Sequence, residues 1–296
     1  MKQQAMEYGK MGYGKKRPMS LGRRRFLKVG AAAAVAAIGT PVYGAEWEPN
    51  HPQVARRDIK LKGWPASAAG LKIGQLSDLH CQNEGAVART AHAARLLLAE
   101  KPDIVFLTGD YISGGYSPRW VDASAQALAP LQVVPGGVFA ILGNHDYADG
   151  HSNEMTHVLE RAGFCVLRNR AVPFPSVDTV WIVGMESVCA ASQDPIKAMH
   201  GVPKDAVKIL LVHEPDYADE APLGFSLQLS GHSHAGQIRI PGLPPLHCPA
   251  FGRRYPEGLQ QAENHLVYTT RGVGMMGPQI RFCCPPEITV LRLYPA

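Results

Sequence analysis

The chain has 296 residues, which is enough for one large domain or two small ones. Its net charge of +5 is unevenly distributed, because residues 1–45 carry nine Lys or Arg and one acidic residue, for a net charge of +8. Residues 46–296 therefore have a net charge of −3 and lack the clustered basic residues of a nucleic-acid-binding surface, so we expect no nucleic-acid partner.

The basic N-terminal segment has the organisation of an export signal. Residues 23–28 read RRRFLK, and an Ala-rich apolar stretch follows at 29–38. The order Arg-Arg-x-Phe-Leu-Lys resembles a twin-arginine signal. We predict a disordered basic tail and signal peptide in residues 1–45, recognised by the twin-arginine translocation machinery. The expected location is the periplasm or cell envelope, with either cleavage after Gly44 or Ala45 or retention as a membrane anchor.

Apolar runs and amphipathic stretches alternate through the first half of residues 46–296. Predicted strands lie at 54–61, 71–76, 104–107, 138–142, 165–167 and 180–183. Predicted helices lie at 84–100, 120–129, 152–162 and 195–200, with Ser152 as the N-cap of the third. This alternation is typical of an α/β arrangement.

The second half is richer in strands and in loops containing Pro and Gly. Predicted strands lie at 207–212, 225–229, 237–240, 266–269 and 288–293. Alternating elements followed by a strand-rich half favour a mixed α/β (α+β) fold with two sheets over one parallel sheet. No repeat or linker divides residues 46–296, so we predict a single domain there.

Five polar motifs stand where apolar runs end. They are Asp78-Leu79-His80, Gly109-Asp110, Gly143-Asn144-His145-Asp146, Val212-His213 and Gly231-His232-Ser233-His234. In open α/β sheets, ligands bind beyond the carboxyl ends of the strands, so these motifs should meet at one sheet edge. Seven residues among them bind metals well: Asp78, His80, Asp110, Asn144, His213, His232 and His234. Such a set suits two divalent ions such as Mn, Fe or Zn, which together clamp a phosphoryl group.

Spacing within the motifs adds two expectations. Asp78 and His80 are two residues apart, as are His232 and His234, so each pair projects to one side if its backbone is extended. In three motifs a glycine precedes the ligand, which allows a tight backbone path where a strand becomes a loop.

In their order, the five motifs resemble those of the calcineurin-like metallophosphoesterases, over about residues 70–293. The resemblance implies a four-layer αββα sandwich of two mixed β-sheets flanked by helices, with the dimetal site at the strand ends. It implies one ion held by Asp78, His80, Asp110 and His234, and another held by Asp110, Asn144, His213 and His232. Asp110 would bridge the ions, and His145 would contact the phosphate and protonate the leaving oxygen. Asp146 stands where many members have Glu, and we expect it to orient its neighbours.

Residues 231–241 and 269–293 resemble a narrower branch, the YaeI/YkuE-type phosphodiesterases of bacterial envelopes. We predict a hydrolase that cleaves a phosphodiester or phosphoanhydride with a water activated by two metal ions. One alternative is a UDP-2,3-diacylglucosamine-type pyrophosphatase, although that reaction occurs at the inner membrane face, which the export signal disfavours. Another alternative is a non-catalytic envelope-binding protein, which retention of all seven ligands and His145 disfavours.

Substrate contacts are harder to assign from the sequence. Arg253, Arg254 and Arg281 are candidates for binding the substrate anion. Met275 and Met276 lie in a Gly-rich loop and are candidates for an apolar lip that would contact a lipid-linked phosphoester.

Overall fold

Two six-stranded sheets face each other across an apolar core in the computed structural model, which describes residues 40–296. The predicted tail and most of the predicted signal peptide lie outside these residues. Residues 42–296 form one compact unit. Among the residues described, no helix is both long and apolar enough to cross a membrane.

The first sheet has the strand order β1-β12-β2-β3-β4-β5. Its strands are β1 (Gln53–Leu61), β2 (Leu71–Leu76), β3 (Ile104–Leu107), β4 (Val138–Ala140), β5 (Cys165–Val166) and β12 (Glu287–Pro295). From β2 to β5 the strands are parallel, whereas β12 runs antiparallel to β2 and parallel to β1. The carboxyl ends of β2, β3 and β4 therefore lie side by side.

The second sheet has the order β10-β11-β9-β8-β7-β6. Its strands are β6 (Arg170–Phe174), β7 (Val177–Gly184), β8 (Val207–Leu211), β9 (Leu227–Ser230), β10 (Gly258–Gln261) and β11 (Leu266–Thr269). The four central strands are parallel, and the edge strands β6 and β10 are antiparallel to their neighbours. Both sheets are therefore mixed, as predicted.

Helices cover the outer faces of the two sheets. They are α1 (Glu84–Ala99), α2 (Pro118–Leu128), α3 (Ser152–Arg161) and the short α4 (Pro195–Ala198). In β3, Ile104 and Phe106 face the core between the sheets, while Val105 and Leu107 pack towards the helices. A strand covered on both faces needs such a continuous apolar run, which is why these strands are readable in the sequence.

Some local predictions are wrong for identifiable reasons. The edge strands β6 and β10 escaped prediction because they are partly exposed and lack a strong apolar pattern. Residues 237–240 form a single bridge between Ile238 and Phe282 rather than a strand, since Gln237 has a φ of 57°. The N-cap of α3 is His151 rather than Ser152, which is the first residue of the helix.

Candidate metal centre

The loops after five central strands meet at one edge of the two sheets. From the first sheet, β2 leads to Asp78 and His80, β3 to Asp110, and β4 to Asn144. From the second sheet, β8 leads to His213, and β9 to His232 and His234. All seven residues predicted from the sequence are brought together, and six of them are buried. Neither sheet alone supplies the complete set.

The side chains form two adjoining clusters. In the first, Nε2 of His234 lies 3.0 Å from Nε2 of His80 and 3.3 Å from Oδ1 of Asp78. In the second, Nε2 of His213 lies 3.1 Å from Oδ2 of Asp110, and Nδ1 of His232 lies 3.0 Å from Oδ1 of Asn144. Neighbouring ligands at about 2.1 Å from an octahedral ion are themselves roughly 3.0 Å apart, so these separations fit metal coordination.

Asp110 lies between the clusters. Its Oδ2 atom is 3.1 Å from Nε2 of His213 in the second cluster and 3.7 Å from Nε2 of His80 in the first. The same carboxylate accepts a hydrogen bond at Oδ1 from the backbone N–H of His145. This position suits the bridging role that the resemblance implies.

Two histidines have the tautomer that metal binding requires. Nδ1 of His213 donates to the carbonyl of Thr108 at 2.6 Å, which leaves Nε2 with its lone pair. That Nε2 atom is buried and has no partner with hydrogen-bond geometry. Nε2 of His232 donates to the carbonyl of Ala250 at 2.8 Å, so Nδ1 presents its lone pair beside Asn144. A bound cation would satisfy the buried Nε2 atom of His213, which has no such partner.

The electrostatics of the clusters also fit a cation. Burial raises the pKa of Asp78 and lowers the pKa of His80 to about 3. Burial opposes ionisation of Asp110 too, but the imidazoles of His213 and His80 hold the pKa of Asp110 below its usual range. Although burial would lower the pKa of His213, the carboxylates of Asp110 and Asp78 raise it well above the usual range. The carboxylates around His213 therefore favour a positive charge at its Nε2 atom, which either a proton or a metal ion would supply.

Backbone strain is concentrated in the ligands. Five of the seven have φ between 48° and 69°, a left-handed conformation that costs non-glycine residues free energy: Asp78, His80, Asp110, His232 and His234. The expectation of extended Asp-x-His and His-x-His pairs is wrong for this reason. Asp78 and His80 do share a cluster, but His232 and His234 belong to different clusters.

Two glycines make room for the carboxylates. A Cβ atom on Gly143 would lie 2.2 Å from Oδ1 of Asp110, and one on Gly231 would lie 2.2 Å from Oδ2 of Asp78. Neither glycine has a positive φ. Their role is thus to allow close approach between neighbouring loops.

A buried aspartate, Asp146, holds two of the ligand loops in place. Asp146 accepts hydrogen bonds from the backbone N–H groups of Asp110 and Gly143 at Oδ2, and of Tyr111 and Ile112 at Oδ1. Burial, followed by the charge of Asp110, raises the pKa of Asp146 to about 7. Asp146 thus joins two ligand loops and orients its neighbours, as predicted from its position.

Asp216 has a comparable function that sequence reasoning missed. Its carboxylate accepts from the backbone N–H groups of Arg253, Arg254 and Tyr255, and its own N–H donates to the carbonyl of Phe251. It thereby anchors the segment next to Ala250, whose carbonyl fixes the His232 tautomer. The pairing of distant segments gives no local sequence signal.

His145 lies at the boundary between the clusters and a cavity of about 550 Å³. Its ring is half-buried and edge-on to the ring of His80, with centroids 5.2 Å apart. Asp110, Asn144, His232 and His234 also line the cavity. A ligand in the cavity therefore reaches both the cluster residues and the His145 imidazole.

The three predicted substrate-binding arginines lie elsewhere. Arg281 is fully buried, and its guanidinium donates to the carbonyls of Arg271, Gly272, Gly274 and Cys284. That burial contradicts the predicted contact with a substrate anion. The Arg281 guanidinium also lies 3.5 Å from Nδ1 of His234, behind the first cluster. Arg253 donates to the carbonyl of Cys248, Arg254 pairs with Asp219, and neither lines the cavity among the residues described.

Comparison with known proteins identifies related sequences. The profile described as calcineurin-like phosphoesterase matches residues 71–236. The uncharacterised metallophosphoesterase YkuE of Bacillus subtilis is 31% identical, covering 92% of this chain and 98% of YkuE. Phosphodiesterase YaeI of Escherichia coli is 32% identical, covering 92% and 99%. The UDP-2,3-diacylglucosamine pyrophosphatase LpxG of Chlamydia trachomatis is 29% identical, covering 90% and 98%. These similarities extend over nearly the whole chain.

Proposed function

The chain belongs to the calcineurin-like phosphoesterase family, a family of hydrolases, and we propose that it is a phosphodiesterase of the cell envelope that uses two divalent metal ions. The bond that it hydrolyses would be a phosphodiester or a phosphoanhydride. The observation that carries the proposal is the convergence of two metal-binding clusters around Asp110, beside a cavity that His145 also lines.

The seven cluster residues would bind the two metal ions. Asp78, His80, Asp110 and His234 would hold one ion, and Asp110, Asn144, His213 and His232 would hold the other. When bound, two such ions supply positive charge to the phosphoryl oxygens and lower the pKa of an attacking water. Manganese, iron and zinc all suit this set of imidazole, carboxylate and amide ligands.

His145 would complete the reaction. Hydrolysis forms a P–O bond from water to phosphorus and breaks the P–O bond to the leaving group, whose oxygen then needs a proton. The backbone N–H of His145 donates to Asp110, which holds the main chain of His145 beside the clusters, and the residue lines the cavity. An imidazole so placed is suited to donate that proton.

The envelope location rests on residues 1–45, whose basic, apolar and small-residue regions have the order of a twin-arginine signal. Its test is fractionation of cells that produce the full chain, with and without Arg23→Lys/Arg24→Lys/Arg25→Lys substitutions. Wild-type protein is expected in the periplasmic or membrane fraction and the variant in the cytoplasm. Equal cytoplasmic retention of both would contradict an export role.

A lipid-sugar pyrophosphatase is the second candidate, because LpxG shares 29% identity with the chain over most of its length. A substrate panel separates the candidates. Metal-reconstituted protein is assayed against bis(4-nitrophenyl) phosphate, 4-nitrophenyl phosphate and UDP-2,3-diacylglucosamine. Turnover is expected for the diester, with little for the monoester. Preferential cleavage of the UDP sugar would favour the second candidate, and no turnover with any substrate or metal would refute an enzymatic role.

A further inference from the structure

The lining of the cavity beside the clusters changes from polar to apolar with distance from them. It is polar next to the clusters, but the wall of the cavity is formed by Ile238, Leu246, Pro249, Met276 and Pro278, with the imidazole of His247 among them. No Lys or Arg from residues 40–296 contributes to the lining. Apart from the clusters themselves, the cavity therefore offers mostly carbon surface, which favours an apolar group on the ligand.

The apolar wall is held in position before any ligand binds. The Gln237 side chain accepts a hydrogen bond from the backbone N–H of Met276 and donates to the carbonyls of Met276 and Pro278, at 2.8–2.9 Å. These bonds fasten the loop carrying Met276 to the segment carrying Ile238. They also occupy the Gln237 amide, a polar group that would otherwise be available for recognising a base or a sugar.

The segment that carries the wall residues Ile238 and Leu246 has further exposed apolar side chains. Leu246 at the cavity wall is 62% exposed, and Ile240 and Leu243 on the same segment are 49% and 50% exposed. Met276 lies in the wall, whereas Met275 is buried beneath it, so only one of the two predicted lip residues reaches the cavity.

We propose that this cavity is a subsite for an alkyl or acyl chain attached to the scissile phosphodiester. This inference rests on the proposed function and specifies its substrate class: a single phosphate at the clusters and an apolar alcohol substituent against Ile238, Leu246 and Met276. A sugar-nucleotide pyrophosphate fits less well. Its second phosphate and its base would enter a wall that has no Lys or Arg and only the imidazole of His247 for an anion, and the amide of Gln237 is already engaged.

The test compares 4-nitrophenyl phosphodiesters whose second ester group is methyl, butyl or octyl, all below their critical micelle concentrations. Burying methylene groups favours binding, so kcat/KM of the wild-type enzyme is expected to rise at least about tenfold from methyl to octyl. In Leu246→Ser/Met276→Ser the octyl-to-methyl ratio is expected to fall to within about twofold of unity. The matched control is Leu223→Ser, an exposed leucine that does not line the cavity, and it should keep the wild-type ratio.

The possible results of this comparison distinguish failure of the subsite from failure of the phosphodiesterase proposal. Hydrolysis of the methyl ester with no increase for octyl would overturn the subsite while leaving the phosphodiesterase proposal intact. Failure to hydrolyse any of the three esters would refute the phosphodiesterase proposal itself. A wild-type increase that survives in the double variant would place the chain elsewhere and would also overturn the inference.

Discussion

The floor and the mouth of the site are built by different means. The floor, formed by the seven cluster residues, lies on short loops directly after buried strands, and its polar atoms are fixed by partners such as Thr108 and Ala250. The mouth, formed by residues 237–250 and 274–278, consists of Gly- and Pro-rich loops with several exposed apolar side chains. In the proposed function, the metal ligands therefore come from loops fixed by the two sheets, and the substrate contacts come from the longer loops of the mouth.

The largest expected effect comes from changing the floor at Asp110→Asn. Loss of the shared carboxylate charge would weaken both ion sites, and losing about 4 kcal/mol of transition-state stabilisation corresponds to roughly a 10³-fold fall in kcat/KM. Metal content by atomic emission should fall from two ions towards one or none. Near-normal turnover with full metal content would show that Asp110 is not a bridge.

A smaller loss is expected for His145→Ala, at the junction of floor and mouth. Removing a general acid costs least when the leaving group is as acidic as 4-nitrophenol, so we expect a fall of about 10²-fold, while the metal content should remain that of the wild type. Replacing 4-nitrophenol with a leaving group of higher pKa should enlarge the defect, because such a group depends more on protonation. A defect independent of the leaving group would contradict the acid role.

Beneath the floor, Asp146→Asn tests the joining of two ligand loops. The amide offers one acceptor oxygen where four backbone N–H groups converge, so we expect a loss of about 2–3 kcal/mol in the free energy of unfolding. The matched control is Asp149→Asn, since the exposed Asp149 accepts from the N–H of Tyr116. Urea unfolding measures both, and equal stability of the two variants would show that these bonds contribute little.

Arg281→Met tests the support behind the first cluster. The substitution leaves four carbonyls without their donor, for an expected loss of about 1–3 kcal/mol in unfolding free energy. Arg292→Met on the exposed face of β12 provides the control, with an expected change within about 0.5 kcal/mol. Thermal unfolding at fixed metal concentration compares them. A stable Arg281 variant with a raised KM would restore the original prediction of substrate contact.

The smallest effect is expected for Arg254→Ala at the rim. Its pair with Asp219 is solvent-exposed at the arginine, so the stability change should be below about 1 kcal/mol. The KM for a diester should remain within about twofold of wild type, because Arg254 does not line the cavity. A tenfold rise in KM would show that the mouth recognises the anion with this residue.

The sequence by itself determined the two-sheet fold, the seven cluster residues and the position of His145 next to one of them, Asn144. Each depends on a local signal: an apolar run buried on both faces, ended by a polar motif, as in Ile104–Leu107 followed by Asp110. The weakly patterned edge strands β6 and β10 gave no such signal.

Only the tertiary structure decided how distant segments meet. It gave His232 and His234, which the resemblance had already assigned to different ions, a left-handed backbone rather than an extended one. It buried Arg281 among main-chain carbonyls, and it assembled an apolar wall from Ile238, Leu246 and Met276. Hydrogen bonds and packing between loops far apart in the chain fix these features, and such contacts leave no pattern within a single stretch of sequence.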